Sequence, residues 1–329
     1  MSKSSKWKSN LISSSLPLEF ETARLLVSMG FLIDADFTYA RNDSGVIKDF
    51  SVDLNATGFP PFSDPNEIHA TLELLIECKQ RRPNIHWLFL PDPNQPDFSP
   101  ITLGKTIQAV DEFSWQFFPS NATVSFDKNM QFCYKGIEVN ELNGDVSNSE
   151  LRHGIAQLQY ALPRLLTQSV LLNVGAHRDD NHPFLYCPIL LTNATIFVAN
   201  HDLTTTDVEK SSSIKDIAKE VKFMVFYSDY GPDFESHCQR ECAPLAKFSQ
   251  LKIIREIKDY RREHGEYEHR LPTRLGTSLA RGERFALLSF FPQFVVCNLN
   301  HFPSLINRIK RITAKAVRGL AVSSSLPKL

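Results

Sequence analysis

Residues 70–79, which read ATLELLIECK, restrict the fold of this chain more than any other segment. The middle of this segment is almost entirely apolar. A strand that lacks alternation of polar and apolar residues needs cover on both faces, which is typical of a central strand in an α/β protein. We therefore expect a central strand that is covered on both faces.

Neighbouring segments predict a helix and two more strands. Apolar residues recur at helical spacing in residues 18–31, where Gly30 suits a left-handed C-terminal cap. A turn cluster at residues 41–45 leads into residues 46–54, in which polar and apolar residues alternate over most of the length. Residues 85–90 predict another strand, and a proline-rich loop ends it.

A second helix and a buried strand follow further along the chain. Residues 149–166 carry one apolar stripe, with Ser149 as the expected N-cap and with Pro163 expected to kink or shorten the helix. Residues 183–200 predict one or two buried strands. Weaker patterns predict a helix over residues 107–118 and short strands over residues 122–140. The main elements therefore come in the order helix, three strands, helix and strand.

The chain of 329 residues allows one large or two ordinary domains. Residues 1–16, rich in Ser and Lys, are expected to form a flexible tail before a core over residues 17–200. The polar residues 201–213 form the best internal boundary. Residues 201–329 are then a C-terminal α/β extension that binds substrate or a partner. Its predicted elements are strands at 223–227 and 294–297 and helices at 251–260 and 302–317.

Composition limits the classes of function. The 36 Lys and Arg residues nearly balance the 37 Asp and Glu residues, which excludes a protein that coats nucleic acid with a wholly basic surface. Contact with nucleic acid would need a local basic surface. No apolar run is long enough to cross a bilayer, the N-terminus lacks the apolar part of a signal peptide, and the six cysteines are scattered. The sequence therefore predicts a cytoplasmic protein that does not bind a membrane.

Acidic and basic residues occur together where two predicted strands end. Glu77 and Lys79 share one strand face, and Cys78 points to the other. Asp53, at the end of the preceding strand, reaches the same edge if the two strands are antiparallel. Two carboxylates and the Cys78 carbonyl offer the hard oxygen ligands that Mg²⁺ prefers.

A lysine beside such a site has a chemical use. The ammonium of Lys79 can orient a metal-bound water or help to deprotonate it, and can stabilise negative charge on a phosphorane-like transition state. This chemistry is metal-assisted hydrolysis of a phosphodiester. The alternative is a strand that ends in an ordinary ion pair, which would leave the C-terminal half as the active part.

Three stretches together resemble the PD-(D/E)xK nuclease superfamily. They are EFETARLLVSMGF at 19–31, VDL at 52–54 and LLIECK at 74–79. Holliday-junction resolvases and modification-dependent restriction endonucleases are the most similar members in pattern. The resemblance covers residues 17–90, and residues 149–200 by the order of elements alone. It implies a restriction endonuclease-like core, α-β-β-β-α-β, in which helices flank a mixed central sheet.

The resemblance also implies an activity. The chain looks like a Mg²⁺-dependent nuclease that acts on DNA, with Mn²⁺ as a substitute for Mg²⁺. Asp53 and Glu77 are then metal ligands, Lys79 is the catalytic lysine, and Glu21 is the helix carboxylate that completes the site. A homodimer and a subunit of a larger complex are both compatible with this resemblance.

Two of these assignments have rivals. Glu19 competes with Glu21 for the helix carboxylate, because two residues so close on a helix do not both face one metal. Asp49 competes with Asp53, since both lie on one strand face, and the strand end favours Asp53. The sequence has Val52 at the position of the motif's proline, which many members of the superfamily also lack.

Several polar and basic residues are candidates for contacts with nucleic acid. One group follows the motif directly, one lies on the second helix, and one lies on the basic side of the C-terminal helix. The candidates are Gln80, Arg81, Arg82, Gln157, Arg308, Lys310, Arg311 and Lys315. Gln157 and Tyr160 are one residue closer together than the Gln-x-x-x-Tyr pattern of RecB-like members. For the C-terminal helix, an ordinary docking helix with a solvated basic face is the alternative.

Two other interpretations of the chain remain. A nuclease-fold module without catalysis would bind nucleic acid or act as a scaffold in a larger complex. His237, Cys238 and Cys242 suggest a zinc site at first sight, but the second ligand pair would have to come from distant residues. Unpaired cysteines that bind no metal, either buried or on the surface, are the simpler explanation.

Overall fold

The computed structural model describes residues 3–64, 66–93, 106–118 and 130–323. The helices in these ranges are α1 (Lys3–Ser13), α2 (Leu16–Ser28), α3 (Ser149–Gly175), α4 (Thr205–Lys210), α5 (Ile214–Ile217), α6 (Pro232–Phe248), α7 (Lys252–Glu263), α8 (Pro272–Ala280), α9 (Arg284–Phe290) and α10 (Phe302–Ser323). The strands are β1 (Leu32–Asp43), β2 (Val46–Gly58), β3 (Thr71–Lys79), β4 (Ile85–Pro91), β5 (Gln108–Val110), β6 (Phe132–Asn140), β7 (Val146–Ser147), β8 (Phe184–Thr192), β9 (Thr195–Ala199), β10 (Ala218–Val221), β11 (Phe223–Tyr227) and β12 (Gln293–Asn298).

These strands form one mixed sheet. Its main path runs β1-β2-β3-β8-β12-β11-β6-β4-β9-β10, while β5 pairs with β8 and β7 pairs with β6. Strands β1, β2 and β3 are antiparallel neighbours, and β8 runs parallel to β3. The parallel pair requires a crossover, and α3 precedes β8 in the chain with only a short 3₁₀ helix (Arg178–Asp180) between them. Strand β3 is therefore internal, as its apolar sequence predicts.

Helices cover both faces of the sheet at β3. On one face, Ile76 belongs to the same core cluster as Leu26 of α2 and Ile309 of α10. On the other face, the adjacent Leu75 belongs to the cluster that contains Leu158 of α3. Successive side chains of a strand point to opposite faces, so one buried strand supplies both cores. The expected α/β fold with a mixed sheet between helices is confirmed.

The strands of this sheet differ from the prediction in two places. Strand β1 was not predicted, because it is an edge strand whose residues are mostly exposed or half-buried, with Tyr39 as its one buried residue. Strand β4, predicted at residues 85–90, pairs with β6 and β9 and lies far from β3 in the sheet. Apart from the short β5, which pairs with β8, the strands that precede α3 at this end of the sheet are therefore β1, β2 and β3.

Helix α3 is longer than its sequence predicts. It continues past the buried Pro163 to Gly175, so the prediction that this proline shortens the helix is wrong. Packing of a nearly continuous buried face offsets the backbone hydrogen bond that proline removes. Asn148, and not Ser149, occupies the N-cap position.

Two of the weaker predictions also change. The helix expected over residues 107–118 is wrong, since strand β5 is followed there by turns. The buried Asp111 carboxylate accepts a hydrogen bond from the Phe118 amide at 2.7 Å, which fixes this turn region. Within the expected strand region 122–140, β6 begins at Phe132, and residues 122–129 lie outside the described residues.

The strands predicted at 223–227 and 294–297 are present as β11 and β12. Both ends of the predicted core nevertheless differ from the expected division of the chain. Residues expected to be a flexible tail form α1, a segment without glycine or proline. Strands β10, β11 and β12 come after residue 200 and belong to the same sheet, with β12 lying between β8 and β11. Across the described ranges, no helix is long and apolar enough to cross a membrane.

Candidate functional site

The pairing of β2 with β3 brings the predicted acids together. Leu54 pairs with Ile76 in this antiparallel ladder, so the next positions along it are Asp53 and Glu77. The backbone amide of Cys78 donates a hydrogen bond to Asp53 Oδ2 at 2.7 Å. The Asp53 side chain therefore lies against the end of β3, as the antiparallel arrangement predicts.

An irregularity in the β1–β2 hairpin lies at Asp53. The pairing of β1 with β2 is regular on both sides of Asp36 and Asp53. These two residues face each other but do not pair, and Asp36 has a left-handed φ of 57°. Val52 belongs to the core under α3, whereas Leu54 belongs to the core under α2 and α10. Residues two apart on a regular strand share a face, so the hairpin must twist sharply here. This twist keeps the half-buried Asp53 out of both cores.

The Lys79 ammonium is held by two neighbours. It lies 2.6 Å from Glu77 Oε1 and donates a hydrogen bond to Gln157 Oε1 at 3.0 Å. Gln157 Nε2 in turn donates to the carbonyl of Ser51 in β2 at 3.0 Å. The side chains of Glu77 and Lys79 are 1% and 11% exposed, so this hydrogen-bond chain is largely shielded from water. It fixes the position of Lys79 between β2, β3 and α3.

Gly154 allows α3 to approach this cluster. A Cβ atom at this position would lie 2.7 Å from Leu190 Cδ1 and 3.1 Å from Lys79 Cε. Either distance is shorter than ordinary contact between carbon atoms. The absence of a side chain at Gly154 therefore lets the helix lie directly over the Lys79 stem.

Carboxyl groups outnumber cations in this cluster. Burial and the nearby Asp53 raise the pKa of Glu77 to about 8, although Lys79 opposes the shift. Burial, Asp53 and Asp36 raise the pKa of Glu19 to about 7. The pKa of Asp53 is also raised by burial, against the effect of the Cys78 amide and Lys79. Several acids sharing one lysine make this region favourable for an added cation.

The two rival helix acids lie in different surroundings. Glu19 is half-buried and interacts electrostatically with Asp53 and Lys79, whereas Glu21 is exposed on α2. The buried stripe of α2 contains Leu18 and Thr22, and Glu19 lies closer than Glu21 to its centre on the helix surface. The structure thus brings Glu19, the rival of the expected Glu21, to the site.

The rival strand acid lies outside the cluster. Asp49 is exposed and pairs with Ala40 toward the hairpin turn. Asp53, the acid preferred from the sequence, is the one against β3.

The residues present fit a hard divalent cation. Glu77 Oε2 is buried and has no hydrogen-bond partner among the described residues. Asp53, Glu77 and the Cys78 carbonyl would supply oxygen ligands of the kind that Mg²⁺ prefers. In the part of the chain that the structure describes, no group of three or more His, Cys, Asp and Glu side chains is arranged to hold a metal. Water or substrate would therefore complete the coordination, as is common for Mg²⁺.

The polar residues after Lys79 are largely engaged in structural contacts. The backbone amide of Gln80 donates a hydrogen bond to Ser15 Oγ at 3.1 Å. The Arg81 guanidinium lies 3.3 Å from Glu138 and 3.5 Å from Glu150, so its charge is already neutralised. Arg82 is exposed.

The basic residues of α10 also include one that makes structural contacts and others that are exposed. Lys310 Nζ donates to the carbonyl of Met29 at 2.6 Å and lies 4.7 Å from the centre of the Phe62 ring. This lysine, a candidate for contact with nucleic acid, joins α10 to the end of α2. The Arg308 guanidinium lies 5.8 Å from the centre of the Phe223 ring. Arg311 and Lys315 are exposed.

A polar network beside the cluster was missed from the sequence. The Arg41 guanidinium lies 4.0 Å from the centre of the Tyr160 ring, and the Tyr160 hydroxyl donates to Asp233 Oδ2 at 2.6 Å. With this carboxylate as its partner, the Tyr160 hydroxyl is engaged in a structural contact. The network joins β1, α3 and α6, which are far apart in sequence, so no local pattern could have revealed it.

His237 belongs to this network and is neutral. The Arg240 guanidinium can only donate, so His237 Nδ1 accepts its hydrogen bond at 2.9 Å, and Nε2–H donates to the Tyr160 carbonyl at 2.7 Å. Burial lowers the pKa of His237 to about 4. The adjacent Cys238 and the nearby Cys242 are buried free thiols. The described residues contain no metal-binding group here, and His237 serves packing and hydrogen bonding.

We expect His237 to destabilise the fold in acid. The histidine of the unfolded chain titrates near 6.5, so between about pH 6.5 and 4 the unfolded state binds the additional proton and stability falls as the pH falls. His237→Gln keeps a donor for Tyr160 and removes this titration. Urea unfolding should show that the loss of stability between about pH 7 and 4.5 is about 2 kcal/mol smaller in the variant. An equal loss in both proteins would contradict a buried neutral His237.

Comparison of the chain with models of known protein families, with curated proteins and with solved structures finds no match. The fold and the contacts described above are therefore the basis for inferring a function.

Proposed function

We propose that this protein is a Mg²⁺-dependent nuclease that hydrolyses phosphodiester bonds in DNA. The observation that carries the proposal is the cluster of Asp53, Glu77 and Lys79, in which a buried carboxylate oxygen of Glu77 lacks a partner among the described residues. A cation would supply that partner. Because Mg²⁺ and Mn²⁺ both accept oxygen ligands, either ion suits this donor set.

The order of elements around the cluster supports the proposal. Helix α2 is followed by the antiparallel strands β1, β2 and β3, and then by α3 and β8, which is parallel to β3. This is the α-β-β-β-α-β order that the restriction endonuclease-like core implies. Strands β4 to β7 come between β3 and α3 in the chain and pair elsewhere in the sheet, apart from β5, which pairs with β8.

The site residues divide into two roles. Asp53 and Glu77 would hold Mg²⁺ through carboxylate oxygens, together with the Cys78 carbonyl. When bound, Mg²⁺ supplies Lewis-acid activation of the phosphodiester and of a water molecule. Lys79 Nζ, held by Glu77 and Gln157, donates to an oxygen on which negative charge develops. Gln157 acts as a positioning residue, because it connects Lys79 to the Ser51 carbonyl.

Glu19 adds a proton acceptor to this site. Its pKa of about 7 lies near neutral pH, where a general base is most effective. Since Glu19 is only half-buried, it can exchange protons with water.

The electrostatics favour a functional cluster over a structural ion pair. A structural pair would lower the pKa of its acid, but the pKa of Glu77 rises to about 8 despite a lysine at 2.6 Å. The cluster therefore opposes folding when its acids are ionised. Groups that destabilise the fold in this way are concentrated at functional sites.

One observation favours a second candidate function. Only 1% of the Glu77 side chain and 11% of the Lys79 side chain are exposed, which restricts access for substrate. A nuclease-fold module that binds nucleic acid without cleaving it would be compatible with such a closed site. The two functions differ in whether the wild-type protein cleaves DNA when Mg²⁺ is added.

The two glutamates of α2 provide a matched test of the proposal. Glu19→Gln should lower the Mg²⁺-dependent cleavage rate by about 10²-fold, which is the usual contribution of a proton-transfer group. Glu21→Gln, with the same chemical change at an exposed position, should cleave at the wild-type rate. Initial rates of cleavage of a labelled DNA at neutral pH provide the comparison. Equal rates for both variants, or a loss only in Glu21→Gln, would contradict the assigned site.

A further inference from the structure

Helix α1 exposes an apolar surface that the rest of the described structure leaves uncovered. Trp7 and Ile12 are 57% and 56% exposed, and Leu11 is also exposed. Trp7 and Leu11 are four residues apart, so they lie on one side of the helix. An isolated helix of 11 residues is only marginally stable in water. These features are typical of a segment that binds a partner.

The positive charge of α1 and of the residues around it indicates the charge of its partner. Residues 1–18 contain three lysines and no acidic residue, although the whole chain has a formal net charge of -1. The Lys8 ammonium lies 5.8 Å from the centre of the Trp7 ring, and both Lys6 and Lys8 are exposed. A second copy of α1 would carry the same positive charge and would be repelled. The surface is therefore complementary to an anionic partner.

The position of α1 links it to the candidate site. Ser15, between α1 and α2, accepts a hydrogen bond from the amide of Gln80, which directly follows Lys79. Four residues further along the chain, Glu19 interacts with Asp53 and Lys79. Helix α1 therefore ends beside the candidate site, and an anion bound along the helix would continue from that site.

We infer that α1 binds a single-stranded stretch of nucleic acid next to the phosphodiester that is cleaved. Lysines supply contacts with phosphates, and an exposed indole supplies a stacking surface for a base. Bases are available for stacking on a side chain where they are unpaired, so Trp7 selects single strands over duplex. This inference rests on the proposed nuclease function, to which it adds the form of the substrate.

Binding without cleavage tests this inference. The full-length protein is titrated, in EDTA, against fluorescent oligo-dT and oligo-U of about 20 nucleotides and against a duplex of the same length. The variant is Trp7→Ala/Lys8→Ala. Its matched control is Phe285→Ala/Lys252→Ala, which removes an exposed aromatic ring and an exposed lysine elsewhere on the molecule. Far-UV circular dichroism verifies that both variants are folded.

The α1 variant should bind oligo-dT about tenfold more weakly than wild type, and the control should bind within about twofold of wild type. Loss of one phosphate contact should also reduce the slope of log affinity against log salt by about 0.7. The effect on duplex should be smaller. If oligo-U binds more tightly than oligo-dT and shows the same loss, α1 still binds single strands and the preferred strand is RNA.

Three results would overturn the inference. They are oligo-dT and oligo-U binding that is unchanged in the α1 variant, an equal loss on duplex, and loss of binding to phosphatidylserine vesicles without loss of oligonucleotide binding. The last result would instead identify a membrane-surface helix.

Cleavage assays in Mg²⁺ separate this inference from the proposed function. An active enzyme whose α1 variant binds normally refutes only the inference, whereas an inactive wild type that binds through α1 refutes only the nuclease.

Discussion

Replacing Lys79 with methionine is expected to reduce Mg²⁺-dependent cleavage of DNA by about 10²- to 10³-fold, the range found when one preorganised donor is removed from a transition state. Methionine retains an apolar stem of similar length beside Gly154 and Leu190, where α3 lies close to Lys79. The variant should therefore fold normally and lose the ammonium group. Cleavage rates and thermal unfolding, measured on the same preparation, separate these two effects.

A surface lysine provides the control for this change. Lys48 lies on β2 near the hairpin turn, pairs with Asp43 and is exposed. Lys48→Met should cleave DNA at the wild-type rate, because exposed pairs of this kind contribute little even to stability. If Lys79→Met retained full activity, Lys79 could not be the catalytic lysine.

Replacing Glu77 with glutamine is expected to have two opposite effects. Cleavage should fall by at least about 10²-fold, because a ligand of the proposed metal is lost. The folded protein should become more stable at alkaline pH, because a buried carboxylate that lacks a partner for Oε2 is replaced by a neutral group of the same shape.

The pH dependence follows from the raised pKa of Glu77. The pKa of about 8 in the folded protein exceeds the ordinary glutamate pKa of 4.5, so the folded state holds the additional proton between these two pH values. Stability therefore falls in wild type as the pH rises through this window. The variant should exceed wild type by at least about 1 kcal/mol at about pH 8.5, and the difference should nearly vanish at about pH 4.5. Urea unfolding at both pH values measures this difference.

The stability measurement also discriminates between a functional and a structural role. If the Glu77–Lys79 pair served to stabilise the fold, Glu77→Gln would be less stable than wild type at alkaline pH. That result would contradict a functional cluster whose ionised acids oppose folding. Glu21→Gln, which changes an exposed glutamate, should leave stability unchanged at both pH values.

The sequence was most informative where burial is complete. The apolar segment at residues 70–79 predicted a central strand, because few other structures hide both faces of such a segment. Alternation on β2 and the helical stripe of α2 likewise identified half-buried elements. The predicted site required β2 and β3 to be antiparallel. They are, and this pairing places Asp53 against the end of β3.

The sequence was least informative where position depends on distant contacts. Strand β1 has little apolar pattern because it forms the edge of the sheet, and β4 has a strong pattern but pairs far from β3. The assignment of the helix acid depended on how α2 is rotated against the sheet, and this rotation brings Glu19 and not Glu21 toward Asp53. Lys310 resembles a solvated basic residue in sequence, but it contacts the Met29 carbonyl, which is far away along the chain.

The most direct test of the proposed nuclease is incubation of the wild-type protein with duplex, single-stranded and branched DNA in Mg²⁺, Mn²⁺ or EDTA, followed by separation of the products on a denaturing gel. We expect cleavage of at least one of these substrates in Mg²⁺ or Mn²⁺, none in EDTA, and a large loss of cleavage in Lys79→Met. A wild-type protein that binds these DNAs and cleaves none of them in either metal would contradict the proposed function.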